Sequence, residues 1–195
     1  MGLLVGESCV SRENGVSREN GQTKSRLAII EAYNRLVLNS DGREVRVSDI
    51  VREADIGRST FYEHFANAQS VFEEAISHPF RIFAEASLQR NLNQLRTMVE
   101  HFGEQRIQAR SLFMDAKARD QLVSVLAREY RNLLVNEIVH AENREWLALT
   151  LAESNLAMIR QWIDGKLVIE IARLIELIIA CTDQIRAIMV KGSSN

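Results

Sequence analysis

The sequence predicts an all-α protein: a three-helix amino-terminal domain built around a helix-turn-helix, then a longer helical domain. Three observations carry this expectation. One proline and nine glycines in 195 residues favour long helices over a fold of many turns. Apolar residues recur at helical spacing through most of the chain after residue 22. Two short helical patterns, Val47 to Ala54 and Arg58 to Phe65, are separated only by Asp55 to Gly57. Helix, tight turn, helix is one way to hold a helix against the major groove of DNA. The organisation expected is an arm over 1–22, a helix-turn-helix domain over 23–67, and a helical effector-binding and dimerisation domain over 68–195.

The arm repeats Ser-Arg-Glu-Asn-Gly at 11–15 and 17–21. It is polar, glycine-punctuated and without apolar period, so it is expected to lack structure. A sharper reading has it lay Arg12, Arg18, Lys24 or Arg26 on the DNA backbone or in the minor groove. The first helix runs from Thr23, a suitable N-cap, to about Leu38, with Leu27, Ile30, Tyr33 and Val37 on one face. Asn39-Ser40-Asp41-Gly42 is a stop signal. In the second helix Val47, Ile50, Val51 and Ala54 share a face. In the third, Phe61 and Phe65 point inward, Ser59 and Glu63 outward, with Thr60 and Tyr62 on the flanks.

Asn67 caps a fourth helix holding Val71, Phe72, Ala75 and Ile76. Pro79 ends that helix or opens the next. From Phe80 to Val190 the chain reads helical, with breaks near Gly103, Asp115, Asn143 and Gly165. Trp146 to Ile163 and Leu167 to Val190 are apolar almost all round. A helix with so little polar face needs partners on two sides. Its own core is one; a second copy is the other, giving a four-helix interface through Leu156, Trp162, Ile171, Leu174, Ile178 and Ile185.

The third helix carries the candidate chemistry. Ile56, Phe61 and Phe65 anchor it against Leu27, Ile50 and Val51. Gly57, Arg58, Ser59 and Thr60 form its amino end, small enough for close approach. Arg58 can fork onto guanine, Ser59 and Thr60 can touch bases or phosphates, and Tyr62 and His64 can donate to phosphate oxygens. Net charge bears the other way. The chain is −2 overall. Over residues 24–66, Lys24, Arg26, Arg35, Arg43, Arg46, Arg52 and Arg58 are balanced one for one by Glu31, Asp41, Glu44, Asp49, Glu53, Asp55 and Glu63. One copy should grip DNA weakly, so affinity must come from the placement of charge and from a second subunit.

The run from about Thr23 to Ile76, above all Asp49-Ile50-Val51-Arg52-Glu53-Ala54-Asp55-Ile56-Gly57-Arg58-Ser59-Thr60-Phe61-Tyr62-Glu63-His64-Phe65, resembles the DNA-binding domain of TetR/AcrR-type transcriptional regulators. The resemblance implies a dimeric repressor, bound to a palindromic operator, that is released by a small molecule. It matches Arg58, Ser59 and Thr60 to the base-reading segment, Tyr62 and His64 to phosphate contacts, and Ser48 to a further phosphate contact. Four positions depart from the pattern. Asp55 stands for the turn glycine, Gly57 for the serine cap, and Ala66 and Ala68 for lysines that would meet phosphate.

The second half offers apolar side chains for a pocket, with Phe83, Phe102, Phe113, Met114 and Trp146 as candidate lining because aromatics and methionine line adaptable apolar sites. No charged cluster names an effector. Cys9 and Cys181 are too far apart for a disulfide framework, and the four histidines show no ligand spacing. No metal or other cofactor is expected, and a reducing cytoplasm fits. No nucleophile–base motif or phosphate loop suggests an enzyme. The last apolar stretch is cut by Glu170, Arg173 and Glu176, short of the ~20 apolar residues a bilayer requires. The competing reading is a helical homodimer that serves as a protein-interaction adaptor without sequence-specific DNA binding.

Overall fold

The computed structural model describes residues 10–39, 44–136 and 141–191. These form nine α-helices and one short 3-10 turn: α1 (Val10–Asn39), α2 (Val47–Glu53), α3 (Arg58–His64), α4 (Ala68–Gln89), α5 (Leu92–Glu104), α6 (Arg106–Met114), α7 (Ala116–Leu133), the turn Leu134–Asn136, α8 (Ala141–Ile163) and α9 (Ile171–Lys191). Among the described residues no helix is long and apolar enough to cross a membrane. The chain divides into two compact units, Met1–Phe72 and Glu73–Asn195. The division falls inside α4 rather than at the 67/68 boundary expected from the sequence.

In the first unit α1 packs on α2 and α3. It starts at Val10, ahead of the expected Thr23, in place of the unstructured arm expected over 10–22. Once the packed part of a helix exists, each added residue avoids a new nucleation cost. The repeat's arginines and glutamates are good helix formers. The side chains of Arg12 and Arg18, and the stop signal at Ser40–Gly42, lie outside what is described.

The buried strip of α1 is Ile29, Ala32 and Tyr33, not one led by Leu27, which is 53% exposed. The small Ala32 sits between two large side chains and lets the neighbouring helices come close. Ile50, Phe61 and Phe65 complete this core, with Val71 and Phe72 at the start of α4. Val51 and Ile56 are only half-buried. Burial pushes the Tyr33 phenol up to about 12.

Side-chain caps set three of the helix starts. Asn67 accepts from the Ser70 N–H at 2.9 Å, and the Asn67 N–H donates to Ser70 Oγ at 3.3 Å, a reciprocal cap. Asn91 and Asp115 cap α5 and α7 by accepting from Gln94 N–H and Ala118 N–H. Pro79 neither ends nor begins a helix: α4 runs through it, at the cost of one backbone hydrogen bond.

The second unit is a bundle. α7 packs on α8, α8 on α9, α5 on α9, and α6 on both α7 and α8. The break expected near Gly103 falls two residues on, between Glu104 at the end of α5 and Arg106 at the start of α6. Gly103 itself lies in the last turn of α5, and a Cβ there would meet the Trp162 ring at 2.9 Å. Its missing side chain is what lets the indole in. The break expected near Asn143 falls just ahead of it, before α8 begins at Ala141. Gly165, at φ +74°, does end α8. Arg106 finishes the job: its Nε donates to the Ile163 carbonyl at 2.6 Å and its Nη2 to the Trp162 carbonyl at 3.4 Å.

Candidate nucleic-acid interface

Two backbone features build the helix-turn-helix. Asp55 takes a left-handed conformation, φ +51°, where the family pattern has glycine. Aspartate tolerates this region better than most residues. The turn is closed by Ala54 N–H to Ile50 O (2.8 Å) and Ile56 N–H to Val51 O (3.2 Å). Gly57 then serves as the N-cap of α3 in an extended conformation, with no side chain to accept from the helix.

The burial of Phe61 and Phe65 decides which way α3 faces. Their ring centroids lie 6.1 Å apart, and the Tyr62 and Phe61 centroids lie 5.4 Å apart in a T-shaped pair. With that face inside, Arg58, Ser59, Tyr62 and Glu63 are exposed, while Thr60 and His64 are half-buried at the margin. Tyr62 is 59% exposed, so its ring packs on one side and its hydroxyl end reaches solvent. Ser48, in the first turn of α2, is also exposed. All six candidates, Ser48, Arg58, Ser59, Thr60, Tyr62 and His64, therefore lie on or beside the two outward helix faces.

The arginines divide into used and unused. Arg35 is paired with Glu53 at 2.7 Å and Arg52 with Asp49 at 3.1 Å. Arg26 lies over the Phe65 ring at 4.9 Å, which ties it to the core edge rather than to an outside partner. Arg58, Arg46 (the N-cap of α2) and Lys24 are exposed. Arg46 escaped the reading of the sequence. It precedes the helix rather than lying within its pattern, and the structure makes it the exposed N-cap of α2.

No protein-family profile matches the sequence, and no curated protein matches it. A crystal structure of a TetR transcriptional regulator from Streptococcus agalactiae 2603V does match. The two chains are 20% identical, with a TM-score of 0.56, over 86% of this chain and 98% of that one. The chain has the TetR-regulator fold.

Within that fold several expected positions fall elsewhere. Leu156, Leu174 and Ile178, expected at a subunit interface, are buried in the chain's own core. In α8 and α9 apolar residues outnumber what one face holds, so the sequence could not say which pointed inward. Trp162 is half-buried and packs on Gly103 of the same chain. Ile171 and Ile185 are half-buried. Of the expected pocket residues, Phe83 and Phe113 are buried, and Phe102 is half-buried with its ring centroid 6.4 Å from that of Phe83. Met114 and Trp146 are 69% and 66% exposed, so they belong to the outer surface of this TetR-type fold and line no enclosed pocket.

Proposed function

We propose that this chain is a ligand-responsive transcriptional regulator, acting as a repressor, that binds palindromic operator DNA as a homodimer and leaves it when a small molecule occupies the second unit. One observation supports this above the others. In a chain with the TetR-regulator fold, α3 turns Arg58, Ser59 and Tyr62 outward. In this reading Arg58 forks onto guanine O6 and N7, and Ser59 and Thr60 meet base edges or phosphate. Tyr62, His64 and Ser48 donate to phosphate oxygens, with Arg46 and Lys24 as further backbone contacts. A cytoplasmic location follows from the same role.

The dimer surface moves with the correction of the buried residues. The outward faces of α8 and α9 offer Trp146, Leu149 and Ile188, all exposed, beside the half-buried Ile171 and Ile185. A Leu149→Glu, Ile188→Glu double variant is expected to sediment as a monomer while melting like the parent. If it remains dimeric, this face is not the interface.

Selection of bound fragments from a random DNA pool tests the function. A twofold-symmetric site is expected, with half-sites about one helical turn or a multiple apart. Its affinity should fall steeply with salt. Arg58→Ala should relax preference at particular bases, and Tyr62→Phe should weaken all sequences alike. The adaptor reading has one observation in its favour: Arg35 and Arg52 are spent on internal pairs. A pool that yields no enriched sequence would favour it over the regulator.

A further inference from the structure

Four helices of the second unit bring one polar side chain each into an otherwise apolar interior. Ser87 comes from α4, Tyr130 from α7, Asn155 from α8 and Thr182 from α9, and all four are fully buried. Their hydrogen atoms can be ordered from one end. Ser87 Oγ donates to the Ala84 carbonyl at 2.9 Å. Its single hydrogen is then committed, so in the 2.7 Å contact with Tyr130 the phenol must donate. Burial pushes the Tyr130 phenol up to about 12, which keeps that hydrogen in place. With its own hydrogen spent on Ser87, Tyr130 can only accept from Asn155, and the amide must present Nδ2 to it at 2.7 Å. The second hydrogen on Nδ2 goes to Thr182 Oγ1 at 3.3 Å.

That order settles which way the amide faces, and it leaves Asn155 Oδ1 buried without a partner. The hydrogens of Ser87, Tyr130 and the Asn155 amide each have a destination, and the Asn155 carbonyl oxygen receives none of them. A buried carbonyl of this kind is a demand for an N–H or O–H from outside the set. The surroundings limit what can supply it. The residues one turn away, Leu126, Leu151, Ile159 and Ile178, are all buried and apolar. Among the described residues, the buried carboxylates are Glu129, which pairs with Arg128 at 3.4 Å, and Asp164, whose side chain lies 3.6 Å from Arg110 at the end of α8. Nothing there would compensate a cation, so the donor must be neutral.

We propose that Asn155 Oδ1 is the anchoring acceptor for a neutral, largely apolar small molecule carrying one hydroxyl, and that this molecule is the effector of the regulator, a reading on which the inference rests. The hydroxyl donates to Oδ1 and the apolar body lies among the aliphatic side chains.

The test uses the full chain and two isomers of one formula, 4-methylphenol and anisole, which differ in having or lacking a donor. Calorimetry should show 4-methylphenol binding at least tenfold more tightly. Asn155→Leu should level the two, and Thr182→Val, which leaves Oδ1 in place, should keep the preference. Equal affinities in the parent, a preference that survives Asn155→Leu, or binding of neither isomer overturns the proposal. Should Asn155→Leu fail to fold, crystals soaked with 4-bromophenol decide: a hydroxyl within hydrogen-bond distance of Oδ1 supports the site, and an ordered water there that the phenol does not displace overturns it. The selected DNA separates the two readings. A protein that prefers 4-methylphenol but binds no operator loses the regulator function and keeps the site. One that binds both, with operator affinity unchanged by 4-methylphenol, loses the effector role.

Discussion

Two sets of similar side chains occupy opposite environments in this molecule. On α3, a serine, a tyrosine and an arginine face water; in the bundle, a serine, a tyrosine, an asparagine and a threonine are sealed from it. The outer set has no partner to satisfy, since water serves each group, so its arrangement contributes little to folding. The inner set must be satisfied from within, and breaking it leaves a buried group stranded. Identical functional groups thus report on different things: the outer ones on an external ligand, the inner ones on stability and on whatever completes the unfilled amide oxygen.

The largest expected effect tests the support beneath the outer set. Phe61→Ala removes a fully buried ring beneath the outward face of α3. It should destabilise the first unit by about 3–5 kcal/mol, seen as loss of its melting transition. An unchanged melt would mean that α3 is held by something other than this ring. Next in size is alkaline pH. Tyr33 in the first unit and Tyr130 in the second each have a folded value of about 12 against an ordinary 10.0. Because the folded value is raised, the stability is fully present below pH 10 and is lost as pH climbs from about 10 to about 12. The loss is on the order of 2–3 kcal/mol per tyrosine. Denaturant titrations at successive pH values should show both units weakening in that window.

Tyr130→Phe sharpens the contrast directly. It strips a partner from Asn155 Nδ2 and should cost about 1–3 kcal/mol. Tyr62→Phe, on the exposed face, should stay within about 0.5 kcal/mol of the parent. Equal effects in chemical denaturation would erase the distinction between the sets. The smallest change is a gain. A Cβ at Gly57 would meet Ser59 Oγ at an ordinary 3.5 Å, so there is room for a side chain. Gly57→Ser should therefore add a cap to α3 worth a few tenths of a kcal/mol, read as a slightly higher melting temperature.

What could be read without coordinates was mostly what short-range chemistry determines. Asn67 caps because its side-chain oxygen reaches an N–H three residues on, and the break near Asp115 is where α7 begins. Asp55 takes the left-handed turn because the helix-turn-helix requires one there. Phe61 and Phe65 turn inward because an i, i+4 aromatic pair has one face to bury. The placement of the five reader candidates on α3 follows from that single orientation, whereas Ser48 on α2 rests on the family resemblance.

Long-range choices were not legible. The interior of α8 and α9 selects Leu156, Leu174 and Ile178 from many apolar residues, and only packing distinguishes them from Leu149 and Ile188. The close approach of Trp162 to Gly103 left no trace in the sequence because the two residues are remote along the chain. Asn155 left one trace that went unused: a lone amide one turn from Leu151 and from Ile159, on the side of α8 that is otherwise aliphatic.

The meeting of Gly103 with Trp162 has a mechanical meaning beyond close packing. The spacing between two rods is set there by the lack of one methyl group. The same few residues of α8 surrender two carbonyls to Arg106. Sliding α8 along its axis would have to lift the indole off the glycine and strip both carbonyls from the guanidinium together. That end of α8 is thereby tied to both α5 and α6, and its axial position is fixed by contacts that lie within two residues of each other.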